Sequence, residues 1–175
     1  MVDSKSNKTD VITREMLEDD GYNKFVKVMQ TCGDDVTKIL KCHLLAEYYL
    51  DRLITMLIPK GYILIKSFKY YSEKLSILEA MEAIPSKLVD SLKNLNSVRN
   101  DCSHELNYSI DEGDIDKIGR PFGIEYEEIK QENKNDQEVL NQTLMAVIAK
   151  LDGVVDATYI LKSKKKVANK ISHEE

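Results

Sequence analysis

The sequence contains no tryptophan and few helix-breaking residues, with three prolines and seven glycines among 175 residues. Such a chain, rich in Leu, Ile, Lys and Glu, favours helices over a loop-rich β-sandwich. Cysteine is also scarce: Cys32, Cys42 and Cys102 are an odd number and none forms a C-x-x-C pair. Together with only three histidines, this argues against a disulfide framework and a structural zinc site. We therefore expect reduced thiols, no metal and no cofactor.

The chain also lacks long apolar runs and an apolar leader. Residues 1–10 are polar, and charged residues interrupt every apolar stretch well before the roughly 18 residues that a transmembrane helix requires. We expect a cytoplasmic protein with no membrane partner. The net charge of −5 counts against a protein that coats nucleic acid non-specifically. Five lysines against two glutamates give residues 162–175 a charge of +3, so this basic tail could contact phosphates or an acidic partner.

Apolar residues recur at helical spacing along most of the chain. The pattern predicts an all-α protein, an antiparallel (up-and-down) bundle of four to five helices. Residues 1–10 are predicted to be a flexible N-terminus, residues 11–161 the helical domain and residues 162–175 the basic tail. We predict helices near residues 13–30, 35–58, 68–83, 86–105 and 136–161, with the last continuing into the tail. Asp34 or Asp35 is expected to cap the second helix and Ser86 the fourth, and residues 107–136 are predicted to be an acidic, irregular loop.

Two predicted helices carry polar residues on faces that are otherwise apolar. His43 and Glu47 lie at core spacing in the second helix, and Arg99 interrupts an apolar seam in the fourth. A charge on a buried seam costs several kcal/mol unless it is paired, so Arg99 needs a partner. That partner is either Glu47, in a structural ion pair, or a bound phosphate from outside the chain. The simplest interpretation of His43 is a hydrogen-bonded core histidine.

The residues that follow Arg99 suggest a chemistry. Asn100 and His104 are four apart and share a helix face, and the long side chain of Arg99 can reach the groove that His104 faces. A planar cation, an amide and an imidazole are the parts that metal-free RNA cleavage requires. On this hypothesis His104 is the general base or acid, and Arg99 stabilises charge in the transition state. Asn100 then holds the local geometry and Glu47 orients Arg99.

The segment from Leu95 to His104, LNSVRNDCSH, resembles the signature of the HEPN superfamily. That pattern is an Arg followed by a polar residue, and then a His after four to six intervening residues, late in a helix of an antiparallel bundle. The helix order is similar as well. A long helix has Ala46-Glu47 in its middle, the next opens with Glu73-Lys74-Leu75, and the Arg99-Asn100 helix follows. The resemblance covers about half of the chain.

This resemblance implies a homodimer in which two Arg/His sets line one cleft between protomers. It also implies an RNA substrate, metal-independent cleavage, and a toxin–antitoxin or antiviral defence setting with an antitoxin or defence-system partner protein. Some HEPN toxins carry a Tyr two residues after the His, where the antitoxin modifies it. Leu106 occupies that position here, and the nearest Tyr is Tyr108, which puts neutralisation by that route in doubt.

Two alternatives to a nuclease remain open. A HEPN branch similar to the mannitol operon repressor shares the helix order and a Pro-Phe-Gly after the motif, which is present here as Pro121-Phe122-Gly123. Its catalytic motif can be degraded, so the chain could be an inactive regulatory or interaction module. The presence of Arg99, Asn100 and His104 favours activity. The third alternative is a nucleotide-binding sensor, for which no glycine-rich phosphate loop is present.

Overall fold

A computed structural model describes residues 21–105 and 107–171, and every regular element in these ranges is helical. The all-α prediction is therefore confirmed for the described residues. They form eight α-helices, numbered α1 to α8 here, with a 3₁₀ turn at Arg120–Phe122 between α6 and α7. In chain order the helices are Gly21–Thr31, Asp35–Leu57, Gly61–Leu64, Tyr71–Ala80, Ser86–His104, Glu112–Gly119, Ile124–Glu132 and Asp136–Ile171.

The prediction of four to five helices accounts only for the longer helices among the described residues. Five of the eight described helices have ten or more residues, and each corresponds to a predicted helix. The short helices α3, α6 and α7 lie where no helix was expected, because brief segments carry too little periodicity to be recognised. The predicted flexible N-terminus, residues 1–10, and the predicted start of the first helix, residues 13–20, lie outside the described residues.

Helix α2 lies at the centre of the packing and contacts α1, α3, α4, α5 and α8. Its buried residues form a broad face that includes Ile39, Cys42, Ala46, Leu50 and Ile54. His43, on the predicted core-facing side, is also buried. Glu47 is only half-buried, at the border of the core, where a charge costs less.

Helix α5 packs against α2 with the apolar seam expected from its sequence. Leu88, Leu92 and Leu95 are buried, whereas Arg99 and Cys102 further along the seam are half-buried. The predicted cap of this helix is wrong, because Ser86 is the first helical residue and Pro85 occupies the N-cap. For α2 the cap is Asp34, whose carboxylate accepts a hydrogen bond of 2.9 Å from the Thr37 N–H.

Residues 107–136 are not an irregular loop, and this prediction is corrected. Asp111 and Asp114 form a capping box that starts α6, and the left-handed Gly123 starts α7. The buried Tyr126 ring packs on Gly119, and its hydroxyl donates to Asp116 over 2.7 Å. Gly113 and Gly119 belong to α6, whereas Pro121 and Gly123 lie between α6 and α7. Tertiary packing holds these short helices together.

Helix α8 runs without a break from Asp136 to Ile171. The predicted basic tail therefore continues this helix as far as the described residues extend. No helix within the described ranges combines the length and the apolar character that crossing a membrane requires.

We expect Gly119→Ala to lower the free energy of unfolding by about 1–3 kcal/mol, the usual cost of overpacking a core. An added Cβ would lie 2.2 Å from the Tyr126 ring. The control is Gly33→Ala, since a Cβ there meets no atom within 4 Å, and we expect it to be neutral or slightly stabilising. Urea unfolding of both variants makes the comparison, and equal stabilities would contradict the packing described here.

Candidate functional site

A polar pocket of about 260 Å³ opens between α2, the start of α4, and α5. Helix α5 contributes Asn96, Arg99 and Asn100, which share one face because they are three and four residues apart. Helix α2 contributes His43 and Glu47, and residues 69–72 complete the wall. We call this the Arg99 pocket. It brings together three of the predicted site residues, Arg99, Asn100 and Glu47.

The Arg99 guanidinium is half-buried and has an amide as its partner. Its Nη1 donates a hydrogen bond of 3.2 Å to the Asn100 Oδ1. Among the described residues, no carboxylate forms an ion pair with it. The structural pair between Arg99 and Glu47, considered from the sequence, is therefore not formed. Because Asn100 is neutral, the positive charge of Arg99 is available to a ligand in the pocket.

Glu47 is held by a different cation. The buried Lys74 of α4 donates from Nζ to the Glu47 Oε1 over 2.9 Å and to the Asp51 Oδ2 over 3.0 Å. Burial acts to lower the pKa of Lys74, but the hydrogen bonds that it donates to Asp51 and Glu47 outweigh this effect, so the pKa is raised. Burial raises the pKa of Asp51. The sequence-based role of Glu47 as the orienter of Arg99 is thus replaced by a contact with Lys74.

His43 is buried beside Arg99 and is held from two sides. Its Nε2–H donates to the Asn96 Oδ1 over 2.9 Å, and its ring lies 4.3 Å from the Tyr71 ring, centroid to centroid. Burial lowers the pKa of His43, and the Arg99 charge lowers it further, against the Asn96 hydrogen bond and the Glu47 carboxylate. The neutral imidazole is therefore favoured. The prediction of a hydrogen-bonded core histidine is confirmed, since His43 is buried and bonded to Asn96.

His104 lies apart from the Arg99 pocket. It is the last residue of α5, its side chain is exposed, and it does not line the pocket. Beyond it, the Tyr108 hydroxyl donates to Asp114, while Leu106 lies outside the described residues. Within one chain, the structure therefore brings Arg99 and Asn100 together but leaves His104 at the exposed end of the same helix.

Metal-binding side chains are not clustered in the described part of the chain: no group of three or more His, Cys, Asp or Glu residues could hold an ion there. The cysteines Cys32, Cys42 and Cys102 are free thiols. Comparison of the chain with family models, with curated proteins and with solved structures gives no match.

Asn96, which lines the Arg99 pocket, and Lys74, which pairs with Glu47, were not among the predicted site residues. Asn96 lies one helical turn before Arg99, so its i, i+3 spacing to a suspected site residue is a signal that could have identified it. Lys74 belongs to the buried face of α4 that also contains Tyr71, Leu75 and Leu78. A lysine on such a face needs a carboxylate partner, and this requirement points to Glu47 and Asp51.

We expect Lys74→Met to lower the free energy of unfolding by about 1–3 kcal/mol, because it leaves two partly buried carboxylates without a cation. Lys93→Met is the matched control: its pair with Glu79 is exposed, so its removal should cost less than about 1 kcal/mol. Arg99→Met should also cost less than Lys74→Met, since it leaves no carboxylate unpaired. Urea unfolding measures all three variants. If Arg99→Met lowers the free energy of unfolding more than Lys74→Met does, Arg99 has a structural role instead.

The lowered pKa of His43 predicts a loss of stability in mild acid. As the pH falls below the ordinary value of 6.5, the unfolded chain takes up a proton that the folded chain resists, so the free energy of unfolding decreases. We expect His43→Gln to show a smaller decrease between about pH 7.5 and about pH 5.5 than the parent chain. Urea unfolding at both pH values measures this. The exposed His104→Gln is the control, and an identical pH response in all three proteins would contradict the assignment.

Proposed function

We propose that this protein is a metal-independent endoribonuclease of the toxin or antiphage-defence type, built as a HEPN-like homodimer of antiparallel helix bundles. The observation that carries the proposal is the half-buried Arg99 guanidinium, which lines a polar pocket with no carboxylate partner among the described residues. A cation in that position suits an anionic ligand, and a planar guanidinium suits the oxygens of a phosphate in particular.

The charges around the pocket support a phosphodiester as the ligand. Glu47 is the carboxylate among the lining residues, and it shares the Lys74 ammonium with Asp51. Arg99 and the exposed Lys69 are two cations against that one carboxylate, so the lining residues carry an excess of positive charge. The amides of Asn96 and Asn100 add hydrogen-bonding groups for phosphate or ribose oxygens.

The exposed ring of Tyr70 favours a nucleic acid over a simple phosphate as the ligand of this pocket. Its side chain lines the Arg99 pocket and is 66% exposed, although a tyrosine ring in a monomeric protein is usually more buried than this. An exposed ring beside a phosphate site offers a stacking surface for a base. Single-stranded RNA supplies a phosphate and an unstacked base at adjacent positions.

The proposed reaction is attack of a ribose 2′-oxygen on the adjacent phosphorus. A general base removes the 2′ proton, the bond from phosphorus to the 5′-oxygen breaks, and a general acid protonates that leaving oxygen. The products are a 2′,3′-cyclic phosphate and a free 5′-hydroxyl. Arg99 stabilises the added negative charge on the phosphate oxygens, with Asn100 fixing its position. His104 serves as base or acid.

In the proposed mechanism, His104 takes part in the reaction only in the dimer. Within one chain His104 does not line the Arg99 pocket, but it is exposed at the end of α5, where a second protomer can approach it. The HEPN resemblance implies two Arg/His sets in one cleft between protomers. The basic tail, whose residues 162–171 continue α8, is a further candidate contact for RNA phosphates or for an antitoxin or defence-system partner.

We expect the purified chain to cut RNA in EDTA and to leave cyclic phosphate ends. His104→Ala should lower the rate by about 10²–10⁴-fold, the usual contribution of a general acid or base. Arg99→Met should lower it by about 10²–10³-fold. Tyr70→Ala should raise KM more than it lowers kcat, because a stacking surface acts mainly on binding. Gel and end-group analysis of the cleaved RNA measure these effects.

The matched control is Lys93→Met, which removes a cation from the same helix as Arg99 at an exposed position. It should cut RNA at the parent rate. Circular dichroism confirms that each variant is folded. Cutting that survives His104→Ala, or that requires a divalent metal, would contradict the proposed mechanism.

A regulatory or interaction module without activity is the second candidate, and the distance of His104 from the Arg99 pocket within one chain favours it. This candidate predicts RNA or phosphate binding that depends on Arg99, with no cleavage. Fluorescence anisotropy with a labelled 2′-O-methyl RNA, which cannot form the attacking 2′-oxygen, measures binding separately from cleavage. Two results together would support the inactive module over the nuclease. The parent chain would bind this RNA whereas Arg99→Met would not, and ordinary RNA would not be cut.

A further inference from the structure

A second cavity, of about 400 Å³, lies between the start of α5, the 3₁₀ turn, α7 and α8. It shares no lining residue with the Arg99 pocket. Pro85, Leu88, Phe122, Val154 and Ala157 make most of its wall apolar. We call it the Phe122 cavity. Its volume falls within the roughly 300–1,000 Å³ range of small-molecule sites, which are mostly apolar with a few polar groups.

The charged groups of the Phe122 cavity leave one cation without a partner. Lys150 is paired with Glu125 over 2.7 Å and lies over the Phe122 ring, 5.2 Å from its centroid. Lys87 has no hydrogen bond or ion pair to any residue that the structure describes. Its ammonium lies near the backbone of Gly123, 4.0 Å from where a Cβ would be. An apolar wall with one uncompensated positive charge suits an amphipathic anion.

Gly153 keeps the α8 side of the cavity open. It lies inside α8 and lines the cavity. A Cβ at this position would meet no atom within 4 Å. The absence of a side chain therefore leaves room for a ligand directly against this stretch of the helix.

We propose that the Phe122 cavity binds a small amphipathic carboxylate. The apolar group of the ligand contacts Leu88, Phe122 and Val154, and its carboxylate pairs with Lys87. A phosphodiester or a nucleic acid fits this site poorly, because its apolar wall offers few hydrogen bonds to phosphate oxygens. A cationic ligand would meet Lys87 as a like charge. The site is separate from the Arg99 pocket, and its occupation does not depend on the proposed nuclease activity.

Isothermal titration of the full chain with octanoate tests the proposal, with 1-octanol and octylammonium as neutral and cationic comparators. We expect saturable binding of octanoate that is tighter than that of either comparator. Lys87→Met should weaken octanoate binding by about 10–100-fold, as expected when one charge-assisted hydrogen bond is lost, and should leave octanol binding unchanged. Lys93→Met is the charge control and should bind octanoate as the parent chain does.

Gly153→Leu tests the position of the ligand, because the added side chain projects into the cavity and should weaken both octanoate and octanol. Gly153→Ala serves if the leucine variant does not fold, and it should weaken both ligands to a smaller extent. The proposal is overturned if octanoate does not bind, if octylammonium binds equally well, or if the Gly153 variants bind octanoate as the parent chain does. Self-association that Gly153→Leu abolishes, without octanoate binding, would instead assign the cavity to a contact between copies and would also overturn the proposal.

Discussion

The contact that determines the character of the candidate site is the double pairing of Lys74. One buried ammonium holds Glu47 and Asp51 together at the border between α2 and α4. Lys74 pairs with both carboxylates, neither of them forms an ion pair with Arg99, and the hydrogen-bond partner of Arg99 is the Asn100 amide. The anion binding that we propose for the Arg99 pocket therefore depends on Lys74, which does not itself line the pocket.

The two cavities have opposite chemistry because of the helices that form them. The Arg99 pocket lies at the border of the core, where the polar residues of α2 and α5 meet the first residues of α4. The Phe122 cavity is lined mainly by apolar side chains, with Lys87, Glu125 and Lys150 as its charged residues. The proposed ligands differ accordingly: a hydrated phosphodiester for the Arg99 pocket, and an apolar body with a single carboxylate for the Phe122 cavity. A net charge of −5 does not argue against either proposal, because local rather than net charge acts on a bound ligand.

Much of the helical framework could be predicted from the sequence. Helix α2 and the apolar seam of α5 were recognised from their periodicity, because long amphipathic helices repeat one local rule many times. Helices α6 and α7 could not be recognised in this way. Each is short, and Tyr126 stabilises them by packing on Gly119 and donating to Asp116, contacts that are visible only after folding. The same holds for Lys74, whose partners are 23 and 27 residues away in the chain.

The sequence by itself determined that the chain is helical, and that Arg99 and Asn100 share a helix with His104, because these properties depend on residues a few positions apart. It also raised the question of which group compensates the charge of Arg99. Only the tertiary structure decided that Glu47 pairs with Lys74, that His43 of α2 meets Asn96 of α5 in the Arg99 pocket, and that His104 is left outside this pocket. Those relations depend on which faces of separate helices meet, and apolar packing sets that choice over the whole fold.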